Sequence, residues 1–422
     1  MHDHELRKVL NDELHGRPGL PVRAPSRITH LAFVIGENDA DPLVQVRTLC
    51  DALGVKPPAE GVPHHWVDIA GGQFKYERHG EFYRISVIAE GGQQKGEALA
   101  ILPLGWVDSL PDQRLVGIHT RIMAAEEEAP DIAALTQEFG HADLAGSKVS
   151  TGLATVWTDF RIGADGYTRI LVHDHGLSPF RLGRVIRRIH EIETYRMMAL
   201  LALPLARQVQ GELAGLERAV SKVTADMLAA RESHEDAQLL DQLSRIARDI
   251  EEISSRTSYR FAAARAYAAL VDKRIAELGE TRVMSFQRIG VFLDRRFGPA
   301  MATCGAVADR LSRLAERGER ASNLLRTRVD IALEGQNQKL LSSMDQRARQ
   351  QLRLQQTVEG LSVVAISYYL IGIVAKLIEG LGAYAHGIDT KFVSLVSIPI
   401  VVAGVWIGVR RLRHRIMKSA GK

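Results

Sequence analysis

The chain has 422 residues, 54 lysines and arginines against 50 aspartates and glutamates, and two cysteines. That length allows two or three domains with real cores. An apolar share of 46% is ordinary for a soluble protein, so any membrane signal must be local; Cys50 and Cys304 cannot staple a secreted disulfide scaffold and fit a reducing compartment.

Charge is spread unevenly. Residues 1–176 carry 16 Lys and Arg against 25 Asp and Glu (net −9), residues 177–357 carry 30 against 22 (+8), and residues 358–422 carry 8 against 3 (+5). A basic middle is one signature of a nucleic-acid partner. Here the arginines alternate with acids at helical spacing, as in Arg248, Asp249, Glu251, Glu252 and Arg256, which reads as a solvated helix face, and nucleic acid is not the expected partner. Met1 to Leu10 lacks the basic start and apolar core of a secretory signal, so the N-terminus is expected in the cytoplasm.

The acidic head, residues 1–176, is expected to be α+β, with an α/β/α-like layering. Leu6 to Leu14 reads as a short helix, and Pro18, Pro21 and Pro25 then force an extended connector. Arg27 to Ile35 alternates as a strand does. Pro42 opens a helix with Leu43, Val46, Leu49, Cys50 and Leu53 on one face. Gln73 to Arg78 and Phe82 to Ala89 flank His79-Gly80 as a hairpin. Further strands are expected at His65–Ile69, Leu115–Met123, Gly152–Asp159 and Tyr167–His173, with helical segments near Val107–Gln113 and Asp131–Phe139.

Two groups in the head hold chemistry-bearing side chains. Glu77, His79 and Glu81 cluster at the hairpin, where a histidine beside carboxylates suits acid–base work and cross-strand charge pairing at an exposed turn is the plainer expectation. His173 and His175 flank Asp174, a spacing open to metal ligation, but no third or fourth ligand is marked and a linker follows at Gly176. The chain has no GxxxxGK[ST], G-x-S-x-G or HExxH pattern. No cofactor, metal or catalytic residue is therefore expected, and enzyme activity in the head stays open.

Residues 177–357 form the helical middle. Ser178-Pro179 begins a helix with Leu182, Val185, Ile186, Ile189, Ile192, Met197 and Leu200 on its apolar face; Pro204 should kink or restart it, and a break falls near Ser233. These helices should pack as three or four with a stalk beginning at Pro299. Leu314, Gly318, Ala321, Leu325, Val329, Ala332 and Gln336 repeat at gaps of 4, 3, 4, 4, 3, 4, an 11-residue rhythm that favours a nearly straight bundle. Lower down the stripe turns polar, with Gln336, Asn337, Gln351, Gln355 and Gln356; amides on such a seam set register and oligomeric state.

The stalk runs without a break into an apolar hairpin, residues 358–409. Its expected spans are 358–375 and 392–409, each 18 residues. Gly404 and Gly408 make a GxxxG that permits close helix packing. Arg410, Arg411, Arg413 and Arg415 open a basic tail, residues 410–422. By the positive-inside rule that tail is cytoplasmic, and two spans then place the first 357 residues on the same side.

The phrases LNDELHGRP (Leu10–Pro18), FKYERHGEF (Phe74–Phe82), ETYRMMALLALP (Glu193–Pro204), LLRTRVDIALEGQN (Leu324–Asn337) and LQQTVEGLSVVAISYY (Leu354–Tyr369) closely resemble a bacterial family of uncharacterised membrane-anchored proteins, a domain-of-unknown-function family. That resemblance implies anchorage in the bacterial inner membrane and brings no activity. The order of parts also resembles CorA-type magnesium channels, which assemble as rings with the first span lining the pore. That resemblance implies an axial seam of Gln351, Gln355, Glu359 and Ser362. Where those channels carry Gly-Met-Asn, this chain has Ile378-Glu379-Gly380-Leu381-Gly382. The expected function is a membrane-anchored, cytoplasm-facing homo-oligomeric scaffold or interaction protein; the alternative is a CorA-like channel or transporter for a divalent cation.

Overall fold

The computed structural model describes residues 3–8, 11, 19–36, 41–91, 96–230, 233–382 and 390–419. Most of the helix expected over residues 6–14 lies outside the described residues, as does the motif Leu10–Pro18 apart from Asn11. The described chain falls into two compact units, one of residues 1–230 and 238–323, the other of residues 231–237 and 324–422.

The first unit is built on a nine-stranded mixed sheet of β1 (Ser26–Val34), β2 (His64–Ile69), β3 (Gly72–Arg78), β4 (Phe82–Glu90), β5 (Gln113–Met123), β6 (Ala145–Val149), β7 (Ala154–Ile162), β8 (Thr168–Asp174) and β9 (Thr281–Arg282). Their order is β2-β3-β4-β1-β5-β8-β7-β6-β9. Every strand pairing is antiparallel except β5 with β8. The expected hairpin is present, with Arg78 opposite Tyr83. Strands β6 and β9 have no counterpart in the sequence reading. The first is five residues with Gly146 under the Trp157 ring, and the second is two residues between long helices. Where a helix was expected over residues 107–113, only a 3-10 turn at Val107–Ser109 forms before β5. Pro111 explains the stop, because it drives the residue before it out of the helical region.

Helices cover both faces of the sheet. On one face α1 (Pro42–Leu53) seats Leu43, Val46, Leu49 and Cys50 against Leu31, Phe74, Tyr76 and Ile85. Asp41 caps α1 through the amide of Leu43, Pro42 takes the first turn, and Gly54 closes it at φ 63°. On the other face α3 (Pro179–Leu200) packs Leu182, Val185, Ile186, Ile189 and Ile192 on Ile28, Ala32, Ile88, Ile118 and Ile122. The short α2 (Ile132–Phe139) brings Leu135 onto Trp157 and Leu171. Gly183 lets α3 settle against the segment before β1: a Cβ there would stand 1.9 Å from the Leu20 carbonyl oxygen.

Beyond α3 come α4 (Ala202–Ala229), α5 (Ser233–Leu278) and α6 (Ile289–Gly382). Pro204 falls in the first turn of α4, and the break near Ser233 separates α4 from α5. Within the first unit these helices share a seven-residue rhythm. On α4 the buried positions are Ala202, Ala206, Val209, Leu213, Val220, Val223 and Met227; on α5 they include Leu239, Leu243, Ile246, Ile250, Ile253 and Thr257. On α6 they are Cys304, Val307, Leu311, Leu314, Gly318 and Ala321, at gaps of 3, 4, 3, 4 and 3. Ion pairs Arg256–Glu212 and Arg310–Glu217 tie α5 and α6 to α4. The charges Arg248, Asp249, Glu251, Glu252 and Arg256 lie exposed.

Two expectations for the stalk are corrected. Helix α6 begins at Ile289, not Pro299, which sits inside it. Its first turn is capped from afar: the Glu280 carboxylate accepts from the Gly290 amide at 3.1 Å, and Ser147 Oγ accepts from the Ile289 amide at 3.0 Å. A carboxylate at a helix N-terminus complements the orphan amides and the dipole there. The 11-residue rhythm also gives way, because the buried stripe keeps heptad spacing through Ala321, while Val329 and Ala332 are only half-buried and Gln336 is exposed. The longer rhythm arose from counting positions that are not buried.

The second unit holds the rest of α6 and α7 (Thr390–Ser419), with an ion pair between Arg328 and Asp236 at 3.2 Å. Among the described residues, α6 is the one helix long and apolar enough to cross a membrane, by length and composition. The second apolar run, residues 392–409, lies on α7 with Pro399 inside the helix.

Candidate functional site

Under α3 the sheet face changes character. Where β1, β4 and β5 elsewhere present Ile28, Ile88 and Ile118, neighbouring positions carry His30 on β1, Lys75 and Glu77 on β3, Arg84 and Ser86 on β4, and Thr120 on β5, all but Ser86 buried. From above, α3 contributes His190, Glu191 and Thr194, which are also buried, and the partly exposed Arg187.

Arg84 is the hub. Its Nε donates to Glu77 Oε2 at 2.6 Å, and its Nη1 and Nη2 reach Glu191 Oε1 at 3.4 Å. Lys75 Nζ lies 3.0 Å from Glu77 Oε1. Glu191 also accepts from Arg274 Nε on α5 at 2.5 Å; Arg274 in turn meets Glu277, which pairs with Arg188 of α3 at 3.2 Å. The network thus ties β3 and β4 to α3 and α5. At its depth two cations, Lys75 and Arg84, face two carboxylates, Glu77 and Glu191. Arg187, 3.7 Å from Glu191, and Arg274 stand around them, so the cluster holds more cations than carboxylates.

Beside the ion pairs, the His30 and His190 rings stack at 4.7 Å. His30 Nδ1 meets Ser86 Oγ at 2.8 Å and Nε2 meets Thr194 Oγ1 at 3.2 Å; His190 Nε2 meets Thr120 Oγ1 at 2.8 Å. The hydroxyl of Thr194 donates to the His190 carbonyl oxygen at 2.8 Å. Its oxygen must then accept from His30 Nε2–H, which leaves Nδ1 to accept from Ser86 and makes His30 neutral.

Electrostatics agree with this assignment. Burial, then the neighbouring His190 and Arg84, hold the His30 imidazole well below its ordinary pKa; burial and Arg84 push His190 down to about 3. Burial alone would raise the Glu77 carboxyl, but Arg84 and Lys75 outweigh it and hold it at about 2. The half-open cavity lined by His30, Lys75, Glu77, Arg84, Ser86 and His190 is about 40 Å³. That suits a water molecule, whereas an organic substrate needs roughly 300 Å³ or more.

The chain matches the family described as "Protein of unknown function (DUF3422)" over residues 2–416. It belongs to the DUF3422 family. No curated protein and no solved structure matches it.

In this DUF3422 chain the residues singled out from sequence do not converge. Glu77, expected at an exposed turn, is buried and paired across strands with its register partner Arg84. His79 stacks on Phe82 at 4.4 Å, and Glu81 pairs with Arg260. His173 and His175 meet edge to face at 4.5 Å, but their nitrogens go elsewhere, His173 Nε2 to the Ala124 carbonyl at 3.1 Å and His175 Nε2 to Thr155 Oγ1 at 2.8 Å. Among the described residues no three His, Cys, Asp or Glu side chains are placed to share a metal ion. On α6, Gln351, Gln355 and Ser362 are exposed and Glu359 is half-exposed; the Ser362 hydroxyl donates to the Val358 carbonyl. A Cβ added to Gly404 or Gly408 would meet no atom within 4 Å. Arg410 lies over the Trp406 ring at 5.0 Å and Arg411 is exposed, while the side chains of Arg413 and Arg415 fall outside the described residues.

The sequence reading missed His30, Arg84, His190 and Glu191. One signal was present: FKYERHGEFYRIS places Lys75, Glu77 and Arg84 on one face of a hairpin, and RRIHEIE puts Arg187 and Glu191 one helical turn apart. Matching charge patterns on two elements indicate that they face each other. A Cys50–His65 contact at 3.6 Å was also unforeseen, but burial raises the thiol pKa, the opposite of what an activated nucleophile needs.

Proposed function

We propose that the protein is a membrane-anchored interaction protein, a scaffold whose sheet unit and helices face the cytoplasm from the bacterial inner membrane. The observation that carries this reading is on α6. An 18-residue window there has a mean hydropathy of 2.1, yet only 6% of it is buried. A core helix of that composition would hide its side chains; here Leu361 and Val364 are each 70% exposed. An apolar surface of that extent is a site for lipid or for another chain.

The apolar run 392–409 on α7 supplies the second crossing, and the basic tail from Arg410 sets the direction, so both termini lie in the cytoplasm. The buried charge network acts as a lock that seats α3 and α5 on the sheet, since Glu77 on β3 and Glu191 on α3 are both held by Arg84 of β4 and Glu191 also by Arg274 of α5.

Labelling with a membrane-impermeant maleimide tests the topology. A cysteine at Gly387, in the connector, should react in intact spheroplasts, and one at Lys339 should react only after lysis. Reaction of the Lys339→Cys variant in intact spheroplasts would overturn the orientation.

A second reading places Gln351, Gln355, Glu359 and Ser362 on the axis of a ring that passes divalent cations, as CorA-type channels do. Its support is that Gln351 and Gln355 are exposed just ahead of the span and Ser362 is exposed within its first turns. Purified protein in liposomes should then carry divalent flux that Glu359→Ala alters; absence of flux across a range of cations removes it.

A further inference from the structure

From the bundle down into the first turn of the apolar window, α6 bears a second seam that no described residue of the chain covers. Leu333, Asn337, Leu340, Met344, Arg347, Gln351, Leu354, Val358 and Leu361 follow one another at gaps of 4, 3, 4, 3, 4, 3, 4 and 3, four full heptads. Its Leu, Met and Val side chains are 53–70% exposed. The seam does not continue the buried stripe above it: stepping by sevens from Leu311 reaches Lys339 and Gln346, whereas stepping from Leu333 reaches Leu340, Leu354 and Leu361.

Charge is segregated around this line. The flanking positions from Gln336 onward are Gln336, Leu341, Ser343, Ala348, Gln350, Gln355, Thr357 and Ser362, none of them ionisable; Glu334, beside Leu333 at the upper end, is the one flanking acid. Lys339, Asp345, Arg349, Arg353 and Glu359 all fall on the opposite side of the helix, where Arg349 pairs with Asp345. Arg347 is the exception, and its long stem can lie along the seam while its guanidinium reaches water. A solvated helix would scatter its charges; an amphipathic one sets them opposite its contact face.

We infer that Leu333–Leu361 is the surface on which copies of this chain pair, as a parallel, in-register coiled coil standing on the membrane. The occupant is a second copy because the seam is complementary to itself. In register, leucines meet leucines and Asn337 meets Asn337 amide to amide; Arg347 meets Arg347, and the two guanidiniums part towards water along their stems, while the flanks from Gln336 onward bring no further like charges together. Parallel direction rests on the anchored reading, since each copy enters the bilayer at Val358, so that the last turn of the seam lies within the span. Asn337 fixes the register, because a slipped pairing would bury its amide against leucine. The pairing displaces the expected axial seam: Gln351 remains on it, Gln355 and Ser362 flank it, and Glu359 leaves it.

The test uses the full chain in detergent micelles, with single cysteines introduced by Leu340→Cys, Leu354→Cys, Lys339→Cys and Gln346→Cys. Under mild oxidation, Leu340→Cys and Leu354→Cys should convert mostly to disulfide-linked dimers, while Lys339→Cys and Gln346→Cys remain monomeric like the wild type, whose Cys50 and Cys304 are buried. Equal cross-linking of all four, or none at positions 340 and 354, would overturn the pairing. Light scattering gives an independent readout. Leu340→Asp with Leu354→Asp should cut the protein mass of the particle at least twofold with head fluorescence unchanged, because these side chains are exposed in the single chain; an unchanged mass would overturn it. Retention of these variants in alkaline-washed membranes reads the anchorage separately, so failure of the pairing and failure of the anchor are distinguishable.

Discussion

Removing one carboxylate from the buried network should cost more than any surface change. Glu77 is 3% exposed and held by Arg84 and Lys75. A carboxyl kept at about 2 in the folded chain against an ordinary 4.5 corresponds to about 3 kcal/mol at neutral pH, at 1.36 kcal/mol per pH unit. That agrees with the ~3–5 kcal/mol typical of breaking a buried pair by deleting one partner. Glu77→Gln should therefore lower the stability of the sheet unit by about 3 kcal/mol. The assay is urea unfolding of the full chain in detergent, followed by Trp66, Trp106 and Trp157 fluorescence in a Trp406→Phe background. The sign with pH follows from the depressed pKa: the contribution is complete above about 4.5 and is lost as pH falls towards 2. The gap between wild type and variant should thus be widest at pH 7 and narrow on acidification. A gap under about 1 kcal/mol at pH 7, or one that does not narrow, would refute the reasoning.

The buried histidines give a second handle on the same face, with the same sign. His190, held at about 3 against an ordinary 6.5, must stay neutral in the fold, so stability falls as pH drops below 6.5; His190→Gln should flatten that slope, as read by the same unfolding midpoints between pH 7 and 4. Gly183→Ala would drive a methyl into the Leu20 carbonyl at 1.9 Å and should cost about 1–3 kcal/mol through displacement of α3, visible as a lower urea midpoint. Glu280→Ala removes the distant cap of α6 and should cost about 1–2 kcal/mol by the same measurement, with Glu280→Gln intermediate.

Much of the architecture was legible from local pattern. Alternation found β1 and the β3–β4 hairpin, the Asp41-Pro42 and Ser178-Pro179 pairs marked helix starts, and Pro204 marked a restart. What escaped depended on distant partners. β9 is two residues long and exists because β6 lies beside it, and α6 starts ten residues early because Glu280 and Ser147 cap it from elsewhere in the chain. Lys75 and Glu77 read as the wet face of an exposed hairpin, since alternation reports polarity and not burial. Only Glu191 on a separate helix, bridged through Arg84, makes that face an interior. The stalk rhythm failed for a related reason: counting positions without knowing which are covered ran a buried heptad stripe, which ends at Leu325, on into Val329, Ala332 and Gln336, which are not buried.

The central claim is that the apolar window of α6, with the run on α7, holds this protein in a membrane. Alkaline carbonate washing of membranes from cells making either the full chain or a chain ending at Gln350 tests it most directly. The full chain should stay with the membrane pellet and the shortened one should move to the supernatant with its sheet unit folded. Release of the full chain into the supernatant would contradict the account.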